Sequence, residues 1–449
     1  MILFYILILS LPLVDHPQIG YEIHGITVEK LLGVGCFFFA LCYLPSRKSF
    51  PQILATGQAR AFLLYTVMIV TSYTCMVTPF DWHELVEIIF AEPVFFIVTS
   101  IFIDSRQRLE NSILALIAAI GLASLYLIKE WVACLPVYGL GYRPGSVAGD
   151  PNLFSASALT VLPMIVAFAL GQKGRKRAFC VGCLLATILA ILLASSRGGF
   201  IALIVLLLLQ MRDARHRGKF VVIAVVIVAL FLISPVSPLD RLLHPTYSDT
   251  DSSDARLQLW SIAFRIVADH PILGVGLWQF TPYLHKYMPP GVDLEFHVPH
   301  NTYLQVAVEL GLVGLALFFA MFFFTLLNLS RLRRAAKKSG DAFMYSISTA
   351  LGNGLIGFAI AAFFVSTMHA RVFWFSIFLS TCLPAYLAKA AVKTAGSDAN
   401  LETRAEVREP APATTVGQHP TAVKAARVEQ RTTKIADDIE LRVDQLRIH

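Results

Sequence analysis

The amino-acid sequence is short of charged residues and of cysteine. Lys, Arg, Asp and Glu make up 15% of its 449 residues, whereas a soluble domain carries about 25%. The seven cysteines lie almost entirely within apolar runs, so we predict no disulfide framework. Cys180 and Cys183 form a C-x-x-C pair without the second Cys or His pair of a zinc site, and we interpret them as packing residues. A P-loop is also missing, which leaves ATP hydrolysis unsupported as an energy source.

Apolar residues make up 56% of the chain, and the mean hydropathy is +0.66. Runs of about 17–25 apolar residues are long enough to cross a bilayer as helices. We therefore predict an all-α, polytopic integral membrane protein with about 12 transmembrane helices, and we interpret the first run as a retained helix rather than a signal peptide. The predicted crossings are Met1–Val14, Ile26–Leu44, Ala61–Val77, Val86–Ile103, Ser112–Leu127, Leu153–Gly171, Ala178–Ala194, Phe200–Met211, Phe220–Ser234, Tyr303–Leu327, Ala342–Val365 and Val372–Leu387.

The placement of Lys and Arg predicts the orientation, because short cytoplasmic loops carry an excess of both. With a cytoplasmic N-terminus, the short cytoplasmic loops hold about eighteen such residues, and those on the other side hold only Lys129, Arg143, Arg197 and Arg371. We therefore assign the net charge of +7 to membrane topology rather than to nucleic-acid binding. Both termini are predicted to be cytoplasmic.

This topology divides the chain into four segments. Residues 1–234 hold nine crossings, 235–300 form one long external loop that contains helices, and 301–390 hold three more crossings. Residues 391–449 are predicted to be a cytoplasmic tail that is partly disordered.

Arginines on the external side are the first candidates for function, because charge at membrane depth is costly. Arg197 lies in the sequence S-S-R-G-G, a predicted tight turn between two apolar helices, where an ordinary surface arginine is the alternative. Arg256 and Arg265 lie nine residues apart on a predicted helix, and therefore on opposite faces. We favour Arg265 for ligand contact because its sequence neighbours are apolar, whereas Arg256 follows three aspartates that can pair with it.

His300 is the candidate general base, since an imidazole titrates near neutral pH. It sits where the tenth helix begins, so a capping or packing role is the alternative. A metal site is also conceivable, but neither possible group has a fixed ligand spacing, and we predict no metal. These two groups are His300 with Asp293, Glu295 and His297, and the pair Asp249 and Asp251.

External arginines beside a histidine suit an anionic substrate that is half lipid and half polar, such as a polyprenyl diphosphate carrying a glycan. Arginine holds a diphosphate in bidentate fashion better than lysine does. Energy is already stored in the sugar–diphosphate bond, so no nucleotide is needed. The sequence G-x-G-x-x-G at Gly352, Gly354 and Gly357 lies in an apolar helix, and we interpret it as close helix packing rather than a dinucleotide site.

Several motifs between Arg143 and Gly314 together resemble the O-antigen ligase/polymerase superfamily. They are S-S-R-G-G at 195–199, R-x-x-x-W at 256–260, H-P-I-L-G-V-G at 270–276, H-N-x-Y-L at 300–304 and E-L-G-L-V-G at 309–314. The resemblance implies a metal-independent GT-C-type glycosyltransferase of the bacterial inner membrane with a periplasmic active site and no cofactor. It implies His300 as the base, and Arg197 with Arg265 or Arg256 as diphosphate ligands. Arg143, Asn301 and Tyr303 are further substrate-binding candidates.

Members of this superfamily take glycan from undecaprenyl diphosphate and differ in the acceptor. A single dominant external loop favours a ligase, which uses the lipid A–core of lipopolysaccharide. The alternatives are an O-antigen polymerase, which extends a second undecaprenyl-linked unit, and a protein O-glycosyltransferase. A transporter, from a different class, should place its charges at mid-bilayer within interrupted helices. The predicted partners are thus the lipid-linked donor, the lipid A–core acceptor and membrane lipids, with no nucleic acid.

Overall fold

A computed structural model gives the architecture. The structure describes residues 1–13, 27–47, 49–75, 82–140, 142–146, 149–213, 221, 225, 228–229, 247–288 and 298–384, without the side chains of 75, 82–90, 212–213 and 247–253. The predicted tail at 391–449 and most of the predicted crossing at 220–234 lie outside these residues.

The described residues fold into helices and contain no strand. In chain order the helices are α1 (Ile2–Ser10), α2 (Val28–Tyr43), α3 (Phe50–Leu54), α4 (Gly57–Ser72), α5 (Trp82–Phe102), α6 (Arg106–Tyr138), α7 (Pro151–Gly171), α8 (Gly174–Ala194), α9 (Arg197–Asp213), α10 (Tyr247–Asp269), α11 (Phe280–Tyr287), α12 (Thr302–Ser339), α13 (Ala342–Ala361) and α14 (Arg371–Pro384). Short polar side chains cap several of them by accepting a hydrogen bond from a first-turn N–H. The capping residues are Thr27, Thr56, Ser105, Asp150, Asn301 and Asp341.

Six described helices are long and apolar enough to cross a membrane. They are Val28–Ser46, Arg106–Tyr138, Pro151–Gly171, Gly174–Ala194, Thr302–Ser339 and Ala342–Ala361, and four shorter apolar helices accompany them. Large apolar side chains such as Phe38, Leu64 and Phe323 are more than half exposed, as a lipid-facing surface requires. The prediction of an all-α membrane protein is confirmed. The number of crossings, the external loop and the segment boundaries stay predictions.

Helix α7 packs against α8, α9 and α13, and α4 packs against α12. The contact between α7 and α13 depends on Gly354, because a Cβ there would collide with the Thr160 carbonyl. Gly357 lies against Leu206 of α9, where a Cβ would be 2.8 Å from Leu206 Cδ1. Gly354 and Gly357 therefore permit close helix packing, as predicted, whereas a Cβ at Gly352 would lie 4.0 Å from Leu329 Cδ1, an ordinary contact distance.

Helix α12 is interrupted at Gly311, whose φ of 68° is left-handed. The residues after α10 fill the break: Val275 N–H donates to Val308 O at 2.9 Å, and Gly276 N–H donates to Glu309 O at 3.0 Å. Leu312 N–H in turn donates to Pro271 O at 2.8 Å. The H-P-I-L-G-V-G motif thus satisfies backbone groups that a helix break would otherwise leave unpaired.

Ion pairs concentrate at one end of the helices. Asp104 pairs with Arg47 and with Arg108, the latter at 2.9 Å, and Glu110 pairs with Lys176 at 3.0 Å. The candidate functional residues lie at the opposite end, where α6, α8 and α13 finish and α7, α9, α12 and α14 begin.

Candidate functional site

The turn between α8 and α9 presents Arg197 as the first residue of a helix. Ser195 ends α8 in the left-handed conformation, with φ 47° and ψ 43°. The buried Ser196 hydroxyl then accepts a hydrogen bond from Gly199 N–H at 3.1 Å, which caps α9. A non-glycine residue with positive φ is uncommon and tends to occur where function constrains the backbone. Arg197 is half-buried at this fixed position.

Asn152, at the start of α7, joins this turn to the segment that carries Arg143. Its Oδ1 accepts a hydrogen bond from Ser196 Oγ at 2.8 Å and another from Arg143 Nη2 at 3.4 Å. Arg143 Nε also donates to Ala194 O at 3.2 Å. The structure therefore brings Arg143 and the Arg197 turn together through one amide.

Glu130, near the end of α6, holds the segment on which Arg143 lies. Its carboxylate accepts hydrogen bonds from Tyr142 Oη at 2.8 Å, Gly145 N–H at 3.3 Å and Ser146 N–H at 2.9 Å. The bond to this carboxylate raises the pKa of Tyr142, because the phenol donates to a negative charge. Glu130 thus fixes the backbone on both sides of Arg143.

His300 immediately precedes the cap of α12 and has a left-handed backbone, with φ 47°. Both imidazole nitrogens are shielded from solvent. Burial, and then the charge of the Arg256 guanidinium, lower the pKa of His300 to about 4, while the Asp150 carboxylate acts in the opposite direction. The ring is therefore neutral at pH 7 and able to accept a proton.

Asp150 has a structural role as well, because its Oδ1 accepts from Leu153 N–H at 3.1 Å and so caps α7. It lies two residues before Asn152, the residue that contacts Arg143 and Ser196. The start of α7 therefore connects the His300 side of the site to the arginine side.

Of the two arginines on α10, the structure brings Arg256 to His300. Arg256 is half-buried with a shielded Nε, and its charge acts on the imidazole. Arg265 is exposed and lies on the other face of the helix, as the spacing of nine residues requires. Its neighbour Phe264 is 62% exposed, so an apolar sequence context did not signify burial here. The geometry therefore favours Arg256 over Arg265 as the arginine that acts beside His300.

Asn301 and Tyr303 have internal hydrogen-bond partners. Asn301 Oδ1 caps α12 by accepting from Leu304 N–H at 3.0 Å. Tyr303 Oη donates to Ala359 O at 2.6 Å, and its ring stacks on Phe319 with centroids 5.3 Å apart. These contacts hold both side chains at the start of α12, and a role of either residue in substrate binding stays a prediction.

The segment between α13 and α14 connects the starts of α9 and α12. Thr302 N–H donates to Ala362 O at 2.8 Å. Phe364 packs on Gly198, where a Cβ would lie 2.6 Å from Phe364 Cβ. Arg197 and His300, at the starts of these two helices, are therefore held at the same end of the bundle.

No group of three or more His, Cys, Asp or Glu side chains suited to a metal ion occurs among the described residues. Most residues of the two metal alternatives lie outside the described side chains, namely Asp249, Asp251, Asp293, Glu295 and His297.

Comparison with known proteins gives one family. Residues 181–319 match the family described as O-antigen ligase, and this confirms the resemblance to the O-antigen ligase/polymerase superfamily. The matched region includes Arg197, Arg256 and His300 but not Arg143. Together with the apolar helices, it supports a membrane enzyme of the O-antigen ligase or polymerase kind. A search of curated proteins found no match.

Proposed function

We propose that the protein is an O-antigen ligase that transfers a glycan from undecaprenyl diphosphate to the lipid A–core of lipopolysaccharide. The observation that carries the proposal is a solvent-shielded His300, close enough to Arg256 to feel its charge, at the same helix ends as Arg143 and Arg197. A base next to several guanidinium groups suits an alcohol nucleophile and a diphosphate leaving group. We place the site on the periplasmic side of the bacterial inner membrane, in agreement with the excess of Lys and Arg at the other end.

In the proposed reaction, His300 accepts the proton of a hydroxyl group of the acceptor. At the same time, the oxygen of that hydroxyl group forms a bond to the anomeric carbon of the donor. The bond from that carbon to the diphosphate breaks, and both of its electrons leave with the diphosphate. The proton on the imidazole then passes to water. Arg143, Arg197 and Arg256 stabilise the charge that develops on the leaving group.

The position of Arg256 also couples substrate binding to the strength of the base. In the free enzyme, burial and then the guanidinium charge keep the pKa of His300 low. A bound diphosphate offsets that positive charge, so the pKa of His300 rises toward the range in which general bases are most effective. His300 therefore becomes a stronger base only when the donor is in place.

The acceptor decides between ligase and polymerase. Purified protein receives one undecaprenyl-linked glycan donor and, in parallel reactions, lipid A–core or a second undecaprenyl-linked glycan as acceptor. We expect labelled glycan to appear on lipid A–core. Growth of the undecaprenyl-linked glycan instead would assign the protein as a polymerase, and transfer to neither would contradict the proposed function.

Replacing Glu130 tests whether the position of Arg143 matters for transfer. Glu130→Gln places an amide NH₂ among three hydrogen-bond donors, so at least one partner loses its acceptor. We expect a loss of about tenfold in kcat/KM, since one unmet hydrogen bond costs about 1–3 kcal/mol. In an Arg143→Ala background the same change should have little further effect, because Glu130 acts through Arg143.

Glu110→Gln is the matched control for Glu130, since Glu110 is a carboxylate on α6 that pairs with Lys176 at the other end of the helix. It should leave kcat/KM unchanged. Additive losses in the double variant of Glu130 and Arg143 would show that Glu130 does not position Arg143.

A further inference from the structure

Helix α12 doubles back at its break. Tyr303 and Phe319 are sixteen residues apart in the sequence, which corresponds to about 24 Å along a straight helix. Their rings nevertheless stack with centroids 5.3 Å apart. The residues before Gly311 therefore lie beside those after it, and Phe319 at the end of this fold is exposed as a lipid-facing side chain would be.

Helix α10 runs alongside the first segment of α12. At one end, Trp260 Nε1 donates to Pro299 O at 2.7 Å, just before α12 begins. At the other end, Pro271 O accepts from Leu312 N–H at 2.8 Å, just after the break. Between these two contacts, the buried face of α10 packs in one hydrophobic cluster with Val308. Helix α10 thus follows α12 from its start to its break.

The face of α10 that points away from this cluster carries an exposed apolar stripe. Residues of an α-helix are rotated by 100° from one to the next, so Leu257, Ser261, Phe264 and Ala268 lie within an arc of about 60°. All four are exposed, and Leu257 is 61% exposed. The Ser261 hydroxyl donates to Gln258 O at 2.8 Å within the helix, so this polar group has a partner without water.

A row of exposed polar residues borders the apolar stripe on one side. Its members are Asp254, Gln258, Arg265 and Asp269. An exposed apolar stripe beside an exposed polar row is typical of a helix that lies where a membrane meets water. Contiguous exposed apolar residues also mark a surface that contacts a partner.

The apolar stripe continues into the surface of a helix that is long and apolar enough to cross the membrane. Ile272 follows α10 and is 65% exposed, and its carbonyl lies against Gly311 at the break of α12. The next two residues of α12, Leu312 and Val313, are also exposed and apolar. The stripe of α10 and the exposed side chains of α12 therefore form a continuous apolar surface.

We propose that the apolar stripe of α10 packs against lipid acyl chains, in the leaflet on the side of the candidate site. The continuity with α12 favours lipid over a second copy of the chain, because the same surface continues along a helix that faces the bilayer. The polar row then faces water, and Arg265, beside Phe264, reaches the phosphate of a lipid headgroup. The inference uses only packing and exposure, so it does not depend on the proposed glycosyl transfer.

Quenching of tryptophan emission tests the proposal on the full-length protein in bilayer nanodiscs. Phe264→Trp and Ile272→Trp each add one indole to the five native tryptophans, whose emission is measured in the parent and subtracted. Phospholipids brominated on their acyl chains should quench most of the added emission at both positions, whereas iodide in the water should have little effect. Lys286→Trp, at an exposed basic position in the last turn of α11, is the control, and iodide rather than the brominated lipid should quench it.

Quenching of Phe264→Trp by iodide and not by the brominated lipid would overturn the proposal, because the stripe would then face water. Protection from both quenchers would also overturn it, since protein would then cover the stripe. Leu257→Trp, two turns earlier on the same stripe, takes the place of Phe264→Trp if that variant does not fold. The assay needs no substrate, so its result is independent of any transfer activity.

Discussion

Replacing His300 by alanine lowers the rate of glycan transfer by about a hundredfold to ten-thousandfold, which is the contribution of a general base. The loss should fall on kcat more than on either KM, because the proton moves only in the transition state. Initial rates with the undecaprenyl-linked donor and saturating acceptor measure it. The left-handed backbone at His300, with φ 47°, is also accessible to asparagine, so His300→Asn tests whether the loss comes from chemistry rather than local folding.

The pH dependence provides an independent test of the same residue. Only neutral imidazole accepts a proton, and the pKa of His300 is lowered to about 4 by burial and then by Arg256. Activity should therefore be present above this pKa and be lost as the pH falls through it. The acid limb of kcat/KM, which describes the free enzyme, is expected near pH 4 instead of near 6.5. In the donor complex the limb of kcat should lie at higher pH, because the diphosphate offsets the charge of Arg256.

Arg256→Gln is the control for this explanation. Removing the guanidinium removes a positive charge that disfavours imidazolium, so the pKa of His300 rises and the acid limb of kcat/KM moves to higher pH. If the acid limb of kcat/KM lies at the same pH in Arg256→Gln and in the parent, then a group other than His300 causes that limb. Full transfer activity in both His300→Ala and His300→Asn would exclude His300 as the base.

The helices could be predicted from the sequence because hydropathy and length are local properties. The predicted crossing Ser112–Leu127 is the apolar centre of α6, which extends to Arg106 and Tyr138. Its ends carry charged residues that hydropathy assigns to loops, and Glu130 lies in one of these ends. A helix can continue beyond the bilayer, so an apolar run gives only its minimum length.

The candidate site was predictable only in part, since it depends on contacts between distant segments. His300 and Arg197 could be proposed from sequence, because each is a polar residue at a helix end in an apolar chain. The hydrogen-bond partners of Glu130 lie twelve to sixteen residues away in the sequence, and Ser196 lies forty-four residues from Asn152. Neither contact produces a recognisable sequence pattern. A D-P-N sequence such as that at 150–152 is typical of a capped helix start, and this signal could have placed Asp150 and Asn152 at the same end as Arg197.

The orientation of α10 could not be predicted from sequence context. Opposite faces for Arg256 and Arg265 followed from helix geometry, but which face is buried depends on what packs against it. Leu259, Ile262 and Ile266 form the buried face, and Trp260 donates to Pro299 O at 2.7 Å, next to His300. Arg256 lies one turn before Trp260 and is directed to the same place.

Arg197→Lys should lower kcat/KM by about tenfold to a hundredfold, and Arg197→Ala by about a hundredfold to a thousandfold. Lysine retains the charge but has no planar fork with which to hold two diphosphate oxygens. The fixed backbone of the turn at Ser195 and Ser196 adds to this difference. It sets the direction in which the Arg197 side chain leaves the helix, and the more flexible lysine side chain benefits less from that fixed direction. The first N–H groups of α9 face the same side and also favour an anion.

The control for Arg197 is Arg177→Lys, an exposed arginine at the opposite end of α8, which should retain parental kcat/KM. Steady-state kcat can report product release instead of the chemical step. When release is slow, weaker binding of undecaprenyl diphosphate raises kcat. Single-turnover rates remove this ambiguity because they follow the chemical step alone. If the single-turnover rate of Arg197→Lys equals that of the parent, then the bidentate contact of Arg197 does not stabilise the diphosphate in the transition state. The leaving-group charge would in that case rest on Arg143 and Arg256.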